Sequence, residues 1–300
     1  MKNKVLSLLV ICFFCIVAMG CSSHHREKPL KIGIAFGGGG AKGAAEVGVI
    51  KVLDELGIKA DYVAGTSMGA VIGGLYAAGY SGNEIEQMLL HEEWMVIYDK
   101  DKMLQNSDAR NILGLIKGPF FREQLDSVLS AKGAHFFQHI QIPFCCVATD
   151  LSPSAFKEVD LTEGVVADAI RISMAYPVPS NAPIERNGMK LADGGIVNNL
   201  PVDVVRKMGA DIVIAIDLEQ SNSDYDLGIP TIGLLTEWFN TRPDIPRKLK
   251  NIDDADIYIH PSLKGYSITD FSPLSLRHMV ECGEKAALEQ KNLLLKYKKK

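Results

Sequence analysis

Short apolar runs alternate with amphipathic segments along the body of the chain. Residues 30–36 form a run with the length of a buried strand, apolar except for Lys31. Apolar residues then recur at helical spacing over 45–56, and Gly57 ends that helix. The same signals predict strands at 60–64, 143–151, 189–192 and 211–218, and helices at 68–78, 162–175, 202–208 and 274–295. Strands that alternate with helices indicate an α/β fold, with a mostly parallel sheet covered by helices on both faces.

The pattern also divides the chain. Its 300 residues correspond to one large domain or two small ones. We expect residues 30–220 to form the α/β domain. Residues 221–300 are expected to be a C-terminal extension that packs on it and ends in a long helix. Residues 91–140 are less regular and more polar, and the sequence leaves open whether they form a lid.

The first twenty residues differ from this body. Lys2 and Lys4 precede an uncharged apolar stretch over 5–19, and small residues follow it, which is the pattern of a secretory signal peptide. The alternative is an uncleaved anchor helix, but a membrane span needs about 20 apolar residues. We therefore expect residues 1–20 to be a signal peptide.

The end of that segment resembles the bacterial lipoprotein signal, in the stretch Ala18-Met19-Gly20-Cys21. The resemblance implies that Cys21 is lipidated and becomes the new N-terminus. Residues 21–29 would then be a tether. Because the next residue is Ser22 and not aspartate, the expected location is the outer membrane of a Gram-negative cell envelope.

Composition and charge narrow the functional class. Apolar residues make up 47% of the chain and charged residues 23%, which is ordinary globular usage. The formal net charge of −4 gives no electrostatic case for nucleic-acid binding. The cysteines of the body, Cys145, Cys146 and Cys282, are too few for a disulfide framework. Neither a paired CxxC nor an HExxH motif is present, so we expect no metal site.

A GxSxG motif, Gly65-Thr66-Ser67-Met68-Gly69, stands between a predicted strand and a predicted helix. This context is typical of a nucleophile elbow, in which a sharp turn exposes the serine and flanking glycines avoid clashes. The alternative is a serine that caps the helix after a glycine turn. The motif alone does not decide between them.

A glycine block, Gly38-Gly39-Gly40-Ala41-Lys42-Gly43, joins the first strand to the first helix. It fits the dinucleotide pattern GxGxxG, whose acidic partner should end the second strand. Asp61 is at about the right distance but begins that strand. A P-loop fails because no Gly-Lys-Ser/Thr follows. The remaining interpretations are a nest of N–H groups that stabilises an oxyanion, or a plain tight turn.

A third candidate is Asp193-Gly194-Gly195, which follows a short predicted strand. In isolation an aspartate beside a glycine turn is most simply a turn former. Its interest comes from its order in the chain after the other two blocks.

Together, these three blocks resemble the patatin-like phospholipases, which carry a glycine-rich block with Arg or Lys before its last glycine, a GxSxG and a later DGG or DGA. Further similarity lies in Ser173-Met174-Ala175-Tyr176-Pro177, in Asn198-Asn199-Leu200-Pro201 and in residues 266–271. The resemblance covers roughly residues 30–290. Gly37 departs from the family, since many members have Ser or Asp there.

The resemblance implies a three-layer α/β sandwich that carries a serine–aspartate dyad. Ser67 takes the nucleophile position and Asp193 the base position, while residues 38–43 match the oxyanion block. Lys42 would hold that loop or the substrate phosphate. Neither a metal nor an organic cofactor is implied.

We therefore expect an acyl hydrolase of phospholipids or lysophospholipids, without nucleic-acid partners and held at a membrane by its lipid anchor. Two alternatives remain open: a catalytically idle lipid-binding lipoprotein, and a nucleotide-cofactor oxidoreductase. A Ser-acid-His triad would need His260 or His278. The C-terminal lysines could contact anionic lipid or be a solvated tail.

Overall fold

A computed structural model describes residues 29–91, 119–152, 157–176, 183–220 and 244–298. The predicted signal peptide and the lipidation site Cys21 lie outside these ranges. Most of the tether and most of the 91–140 segment lie outside them too.

The described strands form one mixed sheet. In spatial order β5-β6-β3-β2-β1-β7-β8 form a continuous path, and β4 pairs with β3. The strands are β1 Ile32–Phe36, β2 Tyr62–Thr66, β3 Phe144–Asp150, β4 Lys157–Leu161, β5 Ile184–Arg186, β6 Met189–Asp193, β7 Ile212–Ile216 and β8 Ile257–Ile259. Strands β3, β2, β1, β7 and β8 run parallel, whereas β4 and β6 pair antiparallel with β3, and β5 pairs antiparallel with β6. The predicted α/β fold with a mostly parallel sheet is confirmed.

Helices cover both faces of this sheet. They are α1 Ala44–Leu56, α2 Met68–Ala77, α3 Gly82–Leu90, α4 Pro119–Ala131, α5 Val166–Ser173, α6 Val202–Met208, α7 Ile245–Asp253, α8 Pro273–Glu289 and α9 Lys291–Lys296. Alternate side chains of β1 point to opposite faces of the sheet. Ile34 and Phe36 pack in the core with α1, α2 and α5, whereas Ala35 packs with α6 on the other face. The result is a three-layer arrangement.

Strands β2 and β6 meet end to end along one edge of β3. Cys146 and Val147 pair with β2 on one side and with β4 on the other, while Ala148 pairs with both β4 and Asp193 of β6. Because β4 occupies one edge of β3 continuously, β2 and β6 share the opposite edge. The two strands approach head-on, so their carboxyl ends converge between Val147 and Ala148.

The first and eighth helices cross at backbone contact. A Cβ on Gly48 of α1 would lie 2.0 Å from the Val280 carbonyl oxygen, and one on Gly283 of α8 would lie 1.8 Å from that of Ala45. Only glycine permits this approach. The C-terminal helix is thereby held against the helix that begins directly after the glycine block.

Three features differ from the predicted pattern. Strands β4 and β5 were not expected, although Asn187-Gly188 between β5 and β6 is a typical two-residue hairpin turn. The predicted helix over 274–295 is interrupted at Gln290, which separates α8 from α9.

None of the described helices combines the length and the apolar character needed to cross a bilayer.

Candidate active site

Ser67 occupies a strained turn between β2 and α2. Its backbone has φ 54° and ψ −123°, a left-handed conformation that costs free energy for a residue with a side chain. The turn is tight enough that a Cβ on Gly65 would lie 2.3 Å from the Gly69 carbonyl oxygen. A Cβ on Gly69 would in turn lie 2.5 Å from the Phe36 carbonyl oxygen. The backbone geometry is therefore that of a nucleophile elbow.

The convergence of β2 and β6 brings Ser67 to Asp193. The Ser67 hydroxyl donates a hydrogen bond to Asp193 Oδ2 at 2.7 Å. The other carboxylate oxygen, Oδ1, accepts the Gly195 N–H at 2.8 Å, which fixes the orientation of the carboxylate. Asp193 is only 4% exposed. The two side chains that the sequence paired from distant blocks are in direct contact.

Burial makes Asp193 a better base than an ordinary aspartate. Desolvation raises its pKa from 3.8 to about 6, against the opposing hydrogen bonds from Gly195 and Ser67. A carboxylate with a pKa nearer to neutral accepts a serine proton more readily, and it is still ionised above about pH 6. Burial therefore gives this carboxylate part of the basicity that histidine provides in Ser-His-Asp triads.

A second serine positions the first. Ser173, the last residue of α5, accepts the Ser67 N–H through its hydroxyl at 2.9 Å and donates to the Val147 carbonyl oxygen at 2.6 Å. The Ser173 side chain is fully buried. It therefore ties the strained turn to strand β3.

The glycine block lies against the same turn. A Cβ on Gly38 would stand 3.3 Å from the Ser67 Cβ, so the loop passes directly beside the nucleophile. Gly38 itself is held by Asn199, which accepts the Gly38 N–H through its backbone oxygen at 3.0 Å and donates its side-chain amide to the Gly38 carbonyl at 3.1 Å. The loop is a fixed element of the site.

Hydrogen bonds divide the backbone amides of this block into engaged and available ones. Gly38 N donates to Asn199 O, Ala41 N to Ile268 O at 2.8 Å, and Lys42 N to Gly39 O at 3.1 Å. Within the described ranges, the amides of Gly39 and Gly40 have no such acceptor. Among the N–H groups of residues 38–42, those of Gly39 and Gly40 are therefore the ones available to a ligand.

The C-terminal part of the chain shapes this loop. Gly40 adopts φ 54°, and a Cβ on it would lie 2.2 Å from the Ile268 carbonyl oxygen. The adjoining Lys42 side chain is 2% exposed. A lysine this deeply enclosed is placed to support the loop, and less well placed to reach a substrate phosphate in solvent.

The competing site hypotheses find little support in the geometry. His260 Nε2 contacts the Glu219 carbonyl oxygen at 2.9 Å, and His278 is exposed on α8. Asp61 precedes β2, at the end of the sheet opposite the glycine block, and its carboxylate accepts the Ile32 N–H and the Lys31 ammonium at 2.8 Å each. It is therefore not placed to bind a ribose. Among the described residues, no cluster of three or more His, Cys, Asp or Glu side chains could hold a metal ion.

Three supporting residues were not assigned by the sequence. Ser173, Asn199 and Ile268 lie in the three further stretches that resembled the family, but their roles depend on contacts across the fold. The only signal available was their presence in those stretches. Hydrogen bonds such as that from Ser67 N to Ser173 Oγ have no local sequence pattern.

The comparisons with known proteins agree on one family. A family model described as patatin-like phospholipase matches residues 34–206. Patatin-like phospholipase domain-containing protein 7 of Rattus norvegicus is 32% identical over 234 residues, which is 75% of this chain and 16% of that protein. The chain thus spans about a sixth of the length of that relative.

A bacterial relative and a solved structure extend the comparison. An uncharacterized NTE family protein of Mycobacterium tuberculosis is 35% identical over 194 residues, which is 64% of this chain and 50% of the relative. The structure of human GIVD cytosolic phospholipase A2 superimposes with a TM-score of 0.50 at 11% identity. That match covers 90% of this chain and 60% of the human one, and shows a common fold.

Proposed function

The chain belongs to the patatin-like phospholipase family, and from this premise we propose that it is a serine acyl hydrolase that cleaves fatty acyl esters of phospholipids or lysophospholipids. The single observation that carries the proposal is the 2.7 Å hydrogen bond from the strained Ser67 to the buried Asp193. A serine that merely caps a helix needs neither the strain nor the carboxylate.

The first half of the reaction forms an acyl-enzyme. Ser67 Oγ attacks the ester carbonyl carbon while its proton passes to Asp193 Oδ2. The N–H groups of Gly39 and Gly40, together with the amino end of α2, stabilise the negative charge that develops on the carbonyl oxygen. When the tetrahedral intermediate collapses, Asp193 returns the proton to the departing alkoxide. The glycerol-bearing alcohol leaves and the acyl group stays on Ser67.

The second half regenerates the serine. Asp193 accepts a proton from a water molecule, whose oxygen attacks the acyl carbonyl at the same oxyanion site. Collapse releases the fatty acid, and the proton on Asp193 returns to Ser67 Oγ. The cycle consumes one water per ester. It needs no group beyond the residues described.

The experiment that tests this function joins labelling to turnover. We expect a fluorophosphonate to form an adduct on Ser67, mapped by mass spectrometry, and the purified protein to release fatty acid from lysophospholipid micelles. The matched control is Ser130→Ala, which alters an exposed serine on α4 and should leave both signals intact. A folded protein that is neither labelled nor active would indicate an idle binding protein instead.

We also propose that Cys21 carries the lipid that anchors the protein in the cell envelope, at the outer membrane. The support is the Ala18-to-Cys21 stretch after a basic and apolar leader. Metabolic labelling with a fatty-acid probe should mark the wild type but not Cys21→Ala. Equal labelling of the two proteins, or none of either, would refute the anchor.

A further inference from the structure

A cavity of about 430 Å³ opens between α5 and the β5–β6 hairpin, apart from the Ser67–Asp193 pair. Its lining combines basic, apolar and acidic side chains: Arg122, Arg171, Arg186, Ile172, Ile184, Asp168 and Glu185. A volume of this size suits a small ligand or the headgroup of a larger one.

Arginine is concentrated in this cavity. Of the six arginines in the described ranges, three line it, and the others are Arg206, Arg247 and Arg277. The three arginines outnumber the two acidic residues of the lining, whereas the chain as a whole carries a net charge of −4. A guanidinium presents several N–H donors in a fork that matches the oxygens of a phosphate.

The acidic residues of the cavity do not neutralise Arg186. Arg122 uses the available carboxylates, since its Nε bonds Asp168 at 2.8 Å and its Nη1 bonds Asp126 at 3.1 Å. Glu185 is exposed on β5 and has Lys190 as its cross-strand partner. The guanidinium of Arg186 has no hydrogen-bonded or ionic partner among the residues that the structure describes. An unneutralised cation therefore borders the cavity.

Two residues that line the cavity lie on the elements that hold Ser67 and Asp193 in place. Ile172 of α5 directly precedes Ser173, whose hydroxyl accepts the Ser67 N–H. Ile184 of β5 pairs with Leu191 of β6, two residues before Asp193. The cavity thus shares its supporting elements with both members of the dyad. Its isoleucines offer an apolar surface beside the cationic one.

We propose that this cavity binds the phosphate group of a phospholipid headgroup and makes the enzyme favour phosphate-bearing substrates over neutral acyl esters. The inference rests on the proposed function for its role in turnover. Arg186 is the principal ligand: it donates hydrogen bonds to the phosphate oxygens, and Ile172 and Ile184 contact the carbon atoms beside them.

Binding decides this inference independently of turnover. Calorimetry would measure the affinity for oleoyl lysophosphatidylglycerol, monooleoylglycerol and inorganic phosphate. The proteins compared are the full chain with Ser67→Ala alone and the same chain that also carries Arg186→Gln. We expect Arg186→Gln to weaken lysophosphatidylglycerol binding about tenfold, as for one lost charged hydrogen bond, and to leave monooleoylglycerol binding unchanged. Arg186→Lys should recover part of the loss, because it keeps the charge without the fork.

The control is Arg277→Gln, which removes the same charge from an exposed position on α8 and should leave the affinity for both lipids unchanged. If Arg186→Gln weakens the binding of both lipids equally, Arg186 has a structural role. If it weakens the binding of neither, the cavity is not a phosphate site. Either result overturns the proposal. If Arg186→Gln affects inorganic phosphate alone, the cavity binds free phosphate and the headgroup assignment is wrong.

Hydrolysis assays on the protein with Ser67 intact distinguish a failure of this inference from a failure of the proposed function. If the wild type cleaves both lipids, Arg186→Gln should raise KM for lysophosphatidylglycerol alone and leave kcat unchanged. If the wild type cleaves neither, the proposed function fails, while the binding comparison still decides the cavity.

Discussion

Ser67→Ala and Asp193→Asn are each expected to lower kcat/KM for a lysophospholipid by about 10⁴-fold or more, as when a member of a catalytic unit is removed. Ser67→Ala removes the atom that bonds to the acyl carbon. Asp193→Asn keeps the shape of the side chain but leaves no group to accept the Ser67 proton at 2.7 Å. Initial-rate assays on the purified variants measure both effects.

The fold of these variants can be checked separately from their activity. Asp193→Asn removes a buried charge whose pKa is raised above its unfolded value, so ionisation at neutral pH opposes folding in the wild type. We therefore expect the variant to be at least as stable as the wild type at pH 8. Asp253→Asn, at an exposed position on α7, is the matched control for the chemical change. Retained activity in a folded Asp193→Asn would show that another group is the base.

The pH profile of the wild type gives a second control on the same assignment. Because the base must be ionised and burial raises its pKa to about 6, kcat/KM should fall as the pH drops below about 6. With an ordinary aspartate the fall would begin near the unperturbed value of about 4. A flat profile down to pH 5 would contradict the role of burial in tuning Asp193.

The second large effect is expected on stability, at the crossing of α1 and α8. Gly283→Ala places a Cβ 1.8 Å from the Ala45 carbonyl oxygen, and this contact is with backbone that cannot rotate away. The helices must separate, which we expect to lower the free energy of unfolding by about 3 kcal/mol, the upper part of the range for overpacking. Thermal unfolding should show a Tm lower by roughly 5–10 °C.

The control for this variant lies two residues away on the same helix. Glu281→Ala changes an exposed position and should alter stability by no more than about 0.5 kcal/mol. A Gly283→Ala protein with the Tm of the wild type would mean that α8 can shift without cost, and that it does not hold α1 in place.

The elements that the sequence predicted well are those with strong local signals. The apolar run of β1 and the glycine-capped α1 need no knowledge of the rest of the chain, whereas the elbow at Ser67 was favoured only once the other two glycine-containing blocks were considered with it. Strand β4 is half-exposed and alternates poorly, so it gave little periodic signal. The break at Gln290 involves neither proline nor glycine, and the periodic pattern continues across it.

The features of the site also divide into those that local motifs predict and those that depend on the assembled fold. Ser67 and Asp193 could be named from motifs, but their contact depends on β6 entering the sheet antiparallel and meeting β2 along β3. That pairing is a property of the assembled sheet, so no local pattern encodes it. The restriction of free amides to Gly39 and Gly40 likewise depends on acceptors contributed by Asn199 and Ile268, which lie far along the chain.

The bond from Ala41 N to Ile268 O has a consequence for the timing of synthesis. The glycine loop is made early on the ribosome, but the acceptor for its Ala41 N–H arrives only when residue 268 has emerged from the exit tunnel. A nascent chain that already contains Ser67 and Asp193 therefore still lacks the contact that holds Ala41. We expect partial translation products that end before residue 268 to lack the ester hydrolysis proposed for this site.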